Sequence, residues 1–555
     1  MEMSRLLHMS KKIILLLTLI IILASGLRLW QLGKVPSSPD WDEVALGYNA
    51  YSIMETGRDE YGKLFPIIMR SFDDYKPAFY VYLIIPLIYI FDLSVFAVRL
   101  PSAIFGILTI LAVFFLVKEL FKRDYVALLT SFVLAISPWH IQFSRVAFES
   151  NVGASLNVFA ILFFLKSFKK PWLLVLSALA MGLSMHVYQS EKVFVPLLCI
   201  ALIYIFRDRF FSINKKYILV FFLILALIAL PLIHFTLTNK EALARAKGVS
   251  IFSDSTLVAS NAQKLIRDRE NNDIIGFILD NRRIEFAKNV VAGYLSHFDL
   301  NWLFITGDLA RHHAPNMGLM YLWELPFLLI GIYQLSFGGL SKNIDKRIRI
   351  FLFTWFLLVP LPASITSGVP HAVRALNFIP IIQIFVACGI FTMIAFLIRT
   401  KNIYVKFLLP SFISVFAIFN FFYYLNQYFV QQNYYTSQDW QYGYEKTISS
   451  LSSIENKYNK IVVSNKAPMD QSYMFFLFYL KYSPSLYQNE TQDVSGGFRE
   501  NHKFGKYEFR PIEWDKEKST NVLYIGLSQD FPQDVKELDR VNYLNNNPAI
   551  LIVER

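Results

Sequence analysis

The sequence predicts a polytopic α-helical membrane protein that carries a small α/β domain at its C-terminal end, and three observations predict it. Hydrophobic residues make up 55% of the 555 positions, charged residues only 17%, and 51 positions are Phe. The mean hydropathy of +0.40 is too high for a soluble chain of this size. Apolar runs of membrane length recur from residue 13 to about residue 428, among them "IILLLTLIIILASGL", "AIFGILTILAVFFLV", "LVFFLILALIALPLI" and "FLLPSFISVFAIFNFFYYL". Residues 431–555 lose that character and alternate helix-like with strand-like stretches. The chain therefore divides, as a sequence, into a transmembrane domain over 1–430 and an α/β domain over 431–555.

The order of spans follows from the basic loops. Lys11 with Lys12, "KELFKRD" at 118–124, "KSFKK" at 166–170, "RDRFFSINKK" at 207–216, "SKNIDKRIR" at 341–349 and "RTKNIYVK" at 399–406 all sit between apolar runs, where positive charge marks the cytoplasmic side. Placing all of them on one side requires about 11 spans. They are expected near 13–30, 100–117, 125–139, 151–166, 172–188, 193–206, 217–235, 318–337, 349–362, 376–398 and 404–428. The stretch "PAFYVYLIIPLIYIF" at 77–91 is short for a crossing and interrupted by Pro86, so it reads as a helix lying in the interface. If it crosses, every later loop changes side. The start "MEMSRLLHMSKK" reads as the flank of a retained first span, because no small-residue cleavage pattern follows it. This orientation puts the protein in the cytoplasmic membrane with its C-terminal domain outside. The loops at 31–76, 139–150, 186–192, 236–317 and 368–376 then share the outer face.

Several function classes are excluded. The formal charge of +12 is spread over short loops, with no clustered basic face for nucleic acid. The two cysteines, Cys199 and Cys388, lie inside apolar segments, so no disulfide framework or thiolate metal site is expected. No Walker loop or Rossmann glycine pattern is present. In the C-terminal domain "YEKTISSLSSIENKYN" and "SYMFFLFYLKY" read as helices, "KIVVSN", "NVLYIGLS" and "AILIVER" as strands, and "QQNYYTSQDWQ" at 431–441 as the linker before them. No catalytic motif is found there.

The chemistry gathers instead in "PSSPDWDEVALGYNAYSIMETGRDEYG", which sets Asp40, Asp42, Glu43, Glu55, Asp59 and Glu60 just past the first apolar run. A carboxylate held at a membrane surface beside fixed cations suits transfer of a group from a lipid-linked phosphate. The acid takes a proton from an acceptor hydroxyl while Lys or Arg meets the departing phosphate. Asp42 or Glu43 is the candidate base, and Lys76, Arg99, Arg145 or Arg374 the phosphate partner. Lys76 and Arg99 fit snorkelling to headgroups as well, and Arg145 with Glu149, four residues apart, fits a helix-surface ion pair. "ARHHAPN" at 310–316, with His297 upstream, has no metal-ligand spacing and reads as loop polarity or substrate contact. No cofactor is expected on this pattern, though a divalent metal is chemically compatible with the residues.

Taken in order, "PDWDEVALGYNAYSIMETGRDEYGKLFP", "DDYKPAFYVYL", "FAVRLPSAIFG" and "ISPWHIQFSRVAFES" resemble the protein O-mannosyltransferase and lipid A aminoarabinose transferase group of GT-C glycosyltransferases. That is the dolichyl-phosphate-mannose-protein mannosyltransferase family, and the resemblance covers residues 1 to about 430. It implies a GT-C fold and an inverting transfer of sugar from a polyprenyl-phosphate donor to an acceptor hydroxyl on protein, glycan or lipid, at the outer face. It further implies Asp42 as base with Glu43 beside it, Lys76 approaching the donor phosphate, and an intact Arg-Leu-Pro-Ser stretch at Arg99–Ser102. Glu149 corresponds to a second acid, while His371 and Arg374 match a late outer loop loosely. A transporter or flippase of lipid-linked sugars is the alternative, and it would place ionisable residues at midplane and show internal repeats. No repeat is found.

Overall fold

A computed structural model of the chain describes residues 10–72, 74–239, 248, 250–253, 255–490, 501–517 and 521–555. The start of the N-terminal flank, Asp73 of "DDYKP" and part of the loop expected at 236–317 lie outside the described residues.

In hydrocarbon every backbone polar group must be satisfied internally, so the apolar runs have to be helices. Among the described residues, 7 helices are long and apolar enough to cross a membrane: Lys11–Leu29, Val95–Phe121, Glu149–Ser167, Lys215–Thr238, Lys346–Ser364, Leu376–Arg399 and Ile403–Thr436. An eighth is made by Asp124–Ile136 with Pro138–Arg145, which are bent by 58° at the break between them. The sequence leads one to expect about 11 spans, and the difference is one of length. The stretches expected near 172–188, 193–206 and 318–337 form helices of 13, 15 and 13 residues, Leu173–Met185, Glu191–Ile205 and Glu324–Ser336. At a 1.5 Å rise these reach only about 20–23 Å, less than the hydrocarbon thickness. The stretch at 77–91 forms Phe79–Phe91, 13 residues with Pro86 inside, and is short in the same way.

The chain folds as two compact units. The first takes residues up to Arg28, then Phe105–Gln142 and Glu149–Tyr423; the second takes Leu29–Ile104, Phe143–Phe148 and Tyr424–Arg555.

In the first unit, the 58° bend has a clear cause. Pro138 has no N–H to give the Leu134 carbonyl four residues back, which takes the Ser137 N–H at 3.3 Å instead, and the Trp139 N–H turns to Leu319, so the Ala135 carbonyl lacks its helical donor. The buried Arg28 donates to the Ala135 and Leu134 carbonyls at 3.0 and 3.4 Å, and Tyr321 donates its hydroxyl to Ile136 at 2.9 Å. Arg28 also meets His140 Nδ1 at 2.7 Å.

In the second unit, helix Trp41–Thr56 is started by a capping box. Asp40 accepts from the Glu43 N–H while the Glu43 side chain accepts from the Asp40 N–H. It ends at Gly57, whose φ of 70° is the left-handed conformation a C-terminal glycine supplies. A hairpin follows, Ile68–Ser71 antiparallel to Asp74–Pro77, with Met69 opposite Lys76. The C-terminal part is a 6-stranded sheet. His502–Phe504 pairs antiparallel with Tyr507–Phe509, which lies parallel to Lys460–Val463 and through it to Val522–Gly526; Pro548–Glu554 and Glu537–Asn542 complete the sheet antiparallel. The strands expected from "KIVVSN", "NVLYIGLS" and "AILIVER" are all present, and "SYMFFLFYLKY" forms Ser472–Leu480. The segment 431–441, which reads as a linker, carries helix Gln432–Thr436 and the fully buried Trp440.

Helix Ser472–Leu480 packs on Trp41–Thr56, and Gly47 sets their spacing. A Cβ there would lie 2.6 Å from Phe478 Cε2 and 2.7 Å from Val98 Cγ2. Tyr48 bonds the Tyr482 carbonyl, and Gln488 reaches Ser52 and Thr56, along the same face. Gly47→Leu should therefore cost about 1–3 kcal/mol through overpacking. It should lower the thermal midpoint of the detergent-solubilised protein, and a midpoint equal to wild type would show that these helices separate freely.

Candidate active site

Two adjacent acids open helix Trp41–Thr56, and the fold gives them opposite surroundings. Both sit in the first turn, where the helix dipole favours negative charge. Glu43 points inward and is buried. Its Oε1 accepts from Arg99 Nε and from the Ala147 N–H, both at 2.9 Å; its Oε2 accepts from Arg99 Nη2 at 2.9 Å and from the Asp40 N–H at 3.3 Å. Four donors saturate this carboxylate. Asp42 points the other way, its side chain 41% exposed, and pairs with Lys76, whose side chain is 12% exposed. Lys76 is delivered by the hairpin strand Asp74–Pro77.

Arg99 is fully buried. Besides the fork on Glu43, its Nη1 donates to the Leu32 and Pro36 carbonyls at 3.1 and 3.0 Å and its Nη2 to the Ser38 carbonyl at 2.8 Å. A guanidinium has five N–H groups, and all are committed, so none is left in this arrangement for a donor phosphate. Arg99 instead fastens the loop over residues 32–38 to Glu43. Arg145 is also fully buried; it donates to the Val35 carbonyl at 3.1 Å and stacks against Phe429 at 4.8 Å and Tyr428 at 5.4 Å.

Asp42, Glu43, Lys76, Arg99 and Arg145 are thus brought together in the second unit. Glu149, His371 and Arg374 belong to the first. Helix Pro138–Arg145 ends at Arg145 and Glu149 begins the next helix, so the two do not form an i,i+4 pair along one helix. Arg374 donates to Thr366 Oγ1 and the Ser367 carbonyl. His371 lies with Asp308 and His312, the described residues whose types and spacing suit a metal. The first unit also holds a polar ring that no motif signalled. Asn157 and Asn377 donate to the two Glu191 oxygens at 2.6 and 2.8 Å, and Asn157 bonds Asn377 at 2.8 Å.

The other acids of the opening stretch serve the fold. Asp59 accepts from the Tyr61 and Lys63 N–H groups, closing a turn, and Glu55 is exposed. Glu60 is buried against Asn49, which donates to its Oε1 at 3.1 Å. Burial pushes its carboxyl up to about 8.

Two outcomes follow. Glu43→Gln strips the charge that Arg99 faces in the interior, a loss of about 3–5 kcal/mol for a broken buried pair, whereas Asp42→Asn should stay within about 1 kcal/mol of wild type. Thermal unfolding of both variants in detergent checks this, and equal midpoints would contradict it. For Glu60, a raised folded pKa gives stability that is full below the ordinary carboxyl range and is lost as pH rises through about 8. Wild type should melt lower at alkaline than at mildly acidic pH, and Glu60→Gln should flatten that slope.

Comparison with known proteins bears on the fold. Residues 75–234 match the family model described as dolichyl-phosphate-mannose-protein mannosyltransferase. No match is found among curated proteins. The structure is similar to ArnT from Cupriavidus metallidurans bound to undecaprenyl phosphate, with TM-score 0.56 and 11% identity over 98% of each chain. It is also similar to the oligosaccharyltransferase AglB from Archaeoglobus fulgidus, in complex with an inhibitory peptide and a dolichol-phosphate, with TM-score 0.52 and 14% identity. That likeness covers 84% of this chain and 64% of AglB, so the chain spans less than two thirds of the AglB length. A second AglB structure, tethered with an acceptor peptide, gives TM-score 0.51 and 14% identity over 85% of this chain and 63% of that one. What these likenesses share is the fold, and the chain accordingly has a GT-C-type polytopic helical fold with a C-terminal sheet region.

Proposed function

We propose that this chain is an inverting glycosyltransferase that moves a sugar from a polyprenyl-phosphate donor to an acceptor hydroxyl on protein, glycan or lipid, at the outer face of the cytoplasmic membrane. The observation that carries the reading is the division of labour between adjacent acids. One carboxylate, Glu43, is locked by four donors, and the next, Asp42, is held half-exposed against a lysine. A general base must reach solvent-side substrate, and of the two only Asp42 does.

In the proposed reaction the acceptor oxygen attacks the anomeric carbon as Asp42 takes its proton, and the carbon–oxygen bond to phosphate breaks. The electron pair leaves with polyprenyl phosphate, whose charge Lys76 meets. A single displacement inverts the anomeric centre. Arg99 acts through Glu43, as a positioning residue. Glu149 as a second acid and Arg374 with His371 as further donor-phosphate contacts are roles that the resemblance supplies. The donor class is supported by the ArnT and AglB structures, which hold undecaprenyl phosphate and a dolichol-phosphate. The outer orientation is supported by the common side of the basic loops.

The flippase alternative draws less support. The buried carboxylates Glu191 and Glu324 are each the first residue of a helix, at an end and not at its middle. Mixing purified protein with a polyprenyl-phosphate sugar and an acceptor, and measuring released polyprenyl phosphate, separates the two, since a flippase releases none. Asp42→Asn should lower that release about 10²- to 10⁴-fold with donor binding retained. Lys76→Ala should weaken donor binding as well as turnover, because the phosphate is charged before and during transfer. Normal release by Asp42→Asn would sink the assignment.

A further inference from the structure

The first unit gathers three side chains that the transfer mechanism above does not require to act together. Asp308, His312 and His371 each offer one ligand atom, and these atoms lie within 4.8 Å of one another. We propose that they form a binding site for one divalent transition-metal ion of the zinc class, which ties the 308–312 turn to the segment beginning at His371.

The chemistry of the donors favours this ion. Two imidazoles and one carboxylate are borderline ligands suited to zinc, and hard cations such as magnesium prefer all-oxygen sets. Ligand atoms around a tetrahedral ion with bonds of about 2.0–2.2 Å stand roughly 3.3–3.5 Å apart. His312 Nδ1 already lies 3.1 Å from Asp308 Oδ2, and the rings of His312 and His371 are 5.2 Å apart at 39°. Small rotations of the two imidazoles bring the set to that spacing.

Hydrogen bonding alone leaves something unexplained. Asp308 is satisfied by His312 and by the Ala372 N–H, yet Nδ1 of His371 is buried with no hydrogen-bond partner among the described residues. A buried polar atom of this kind normally has a partner, and an ion held between the three side chains supplies one.

A supporting layer holds His371 in place. Its backbone N–H donates to His297 Nε2 at 3.2 Å. That nitrogen must then be unprotonated, and the His297 proton lies on Nδ1, which faces the Gly293 carbonyl at 2.7 Å. His297 is therefore fixed as a support of the His371 backbone and not as a fourth ligand. Three protein ligands leave one position for water or an anion.

The site is tested by metal content, which is independent of any transferase activity. The full-length protein, purified in detergent and stripped with chelator, is dialysed against zinc and analysed by elemental mass spectrometry. Wild type should hold one zinc per chain and His313→Gln, an adjacent control, should hold the same. Asp308→Asn, His312→Gln and His371→Gln should each lose it. Cobalt added to stripped wild type should give the intense visible bands of a four-coordinate ion, a readout that needs no variant, and zinc should raise the thermal midpoint of wild type but not of the His371→Gln protein. No bound zinc in wild type, or full zinc in Asp308→Asn, His312→Gln and His371→Gln, would overturn the proposal.

Discussion

The buried pair of Glu43 and Arg99 is the interaction on which the candidate active site depends. An isolated charge in the interior is costly, and a pair survives there only when the remaining donors and acceptors are also met. Here they are met completely, with four donors on the carboxylate and five acceptors around the guanidinium. Those partners come from the helix start at Asp40, the loop over residues 32–38, helix Val95–Phe121 and the short 143–148 segment. One ion pair thus fixes four stretches of chain relative to one another. Because Glu43 is N3 of its helix, the same pair also completes the capping box, so the helix start and the ionic lock cannot form independently.

Much of the fold was legible because its signal is long. Apolar runs without a break identify helices regardless of neighbours, and strands such as Lys460–Val463 and Val522–Gly526 show as compact β-branched stretches. Strands His502–Phe504 and Tyr507–Phe509 escaped because three residues are too few to display alternation, and Glu537–Asn542 because its exposed polar residues resemble a loop. At three of the expected spans the apolar run forms a helix of only 13 to 15 residues, Leu173–Met185, Glu191–Ile205 and Glu324–Ser336. The sequence shows that a run is apolar; how much of it becomes one straight helix depends on breaks such as Pro138.

The site was legible in its residues and illegible in their roles. Asp42 and Glu43 are neighbours of the same chemistry, and what separates them is which side of the helix faces Arg99, a residue far along the chain. Lys76 and Arg99 likewise read as equivalent cations, although one pairs with the half-exposed Asp42 and the other has every donor committed within the fold. The grouping of His371 with Asp308 and His312 depends on a long-range approach that no local spacing encodes.

The unequal exposure of the two ion pairs has a consequence for how the site answers to its ionic surroundings. Mobile ions reach the Asp42–Lys76 pair, whose carboxylate side chain is 41% exposed, and do not reach Glu43–Arg99, whose side chains are 2% and 0% exposed. With a screening length of about 10 Å at 0.1 M salt falling to about 3 Å at 1 M, concentrated salt weakens the first pair and leaves the second nearly untouched. The framework and the reactive edge are therefore governed by different variables, packing for one and solution composition for the other. A brine that loosens Lys76 from Asp42 does so without loosening the helix that presents them.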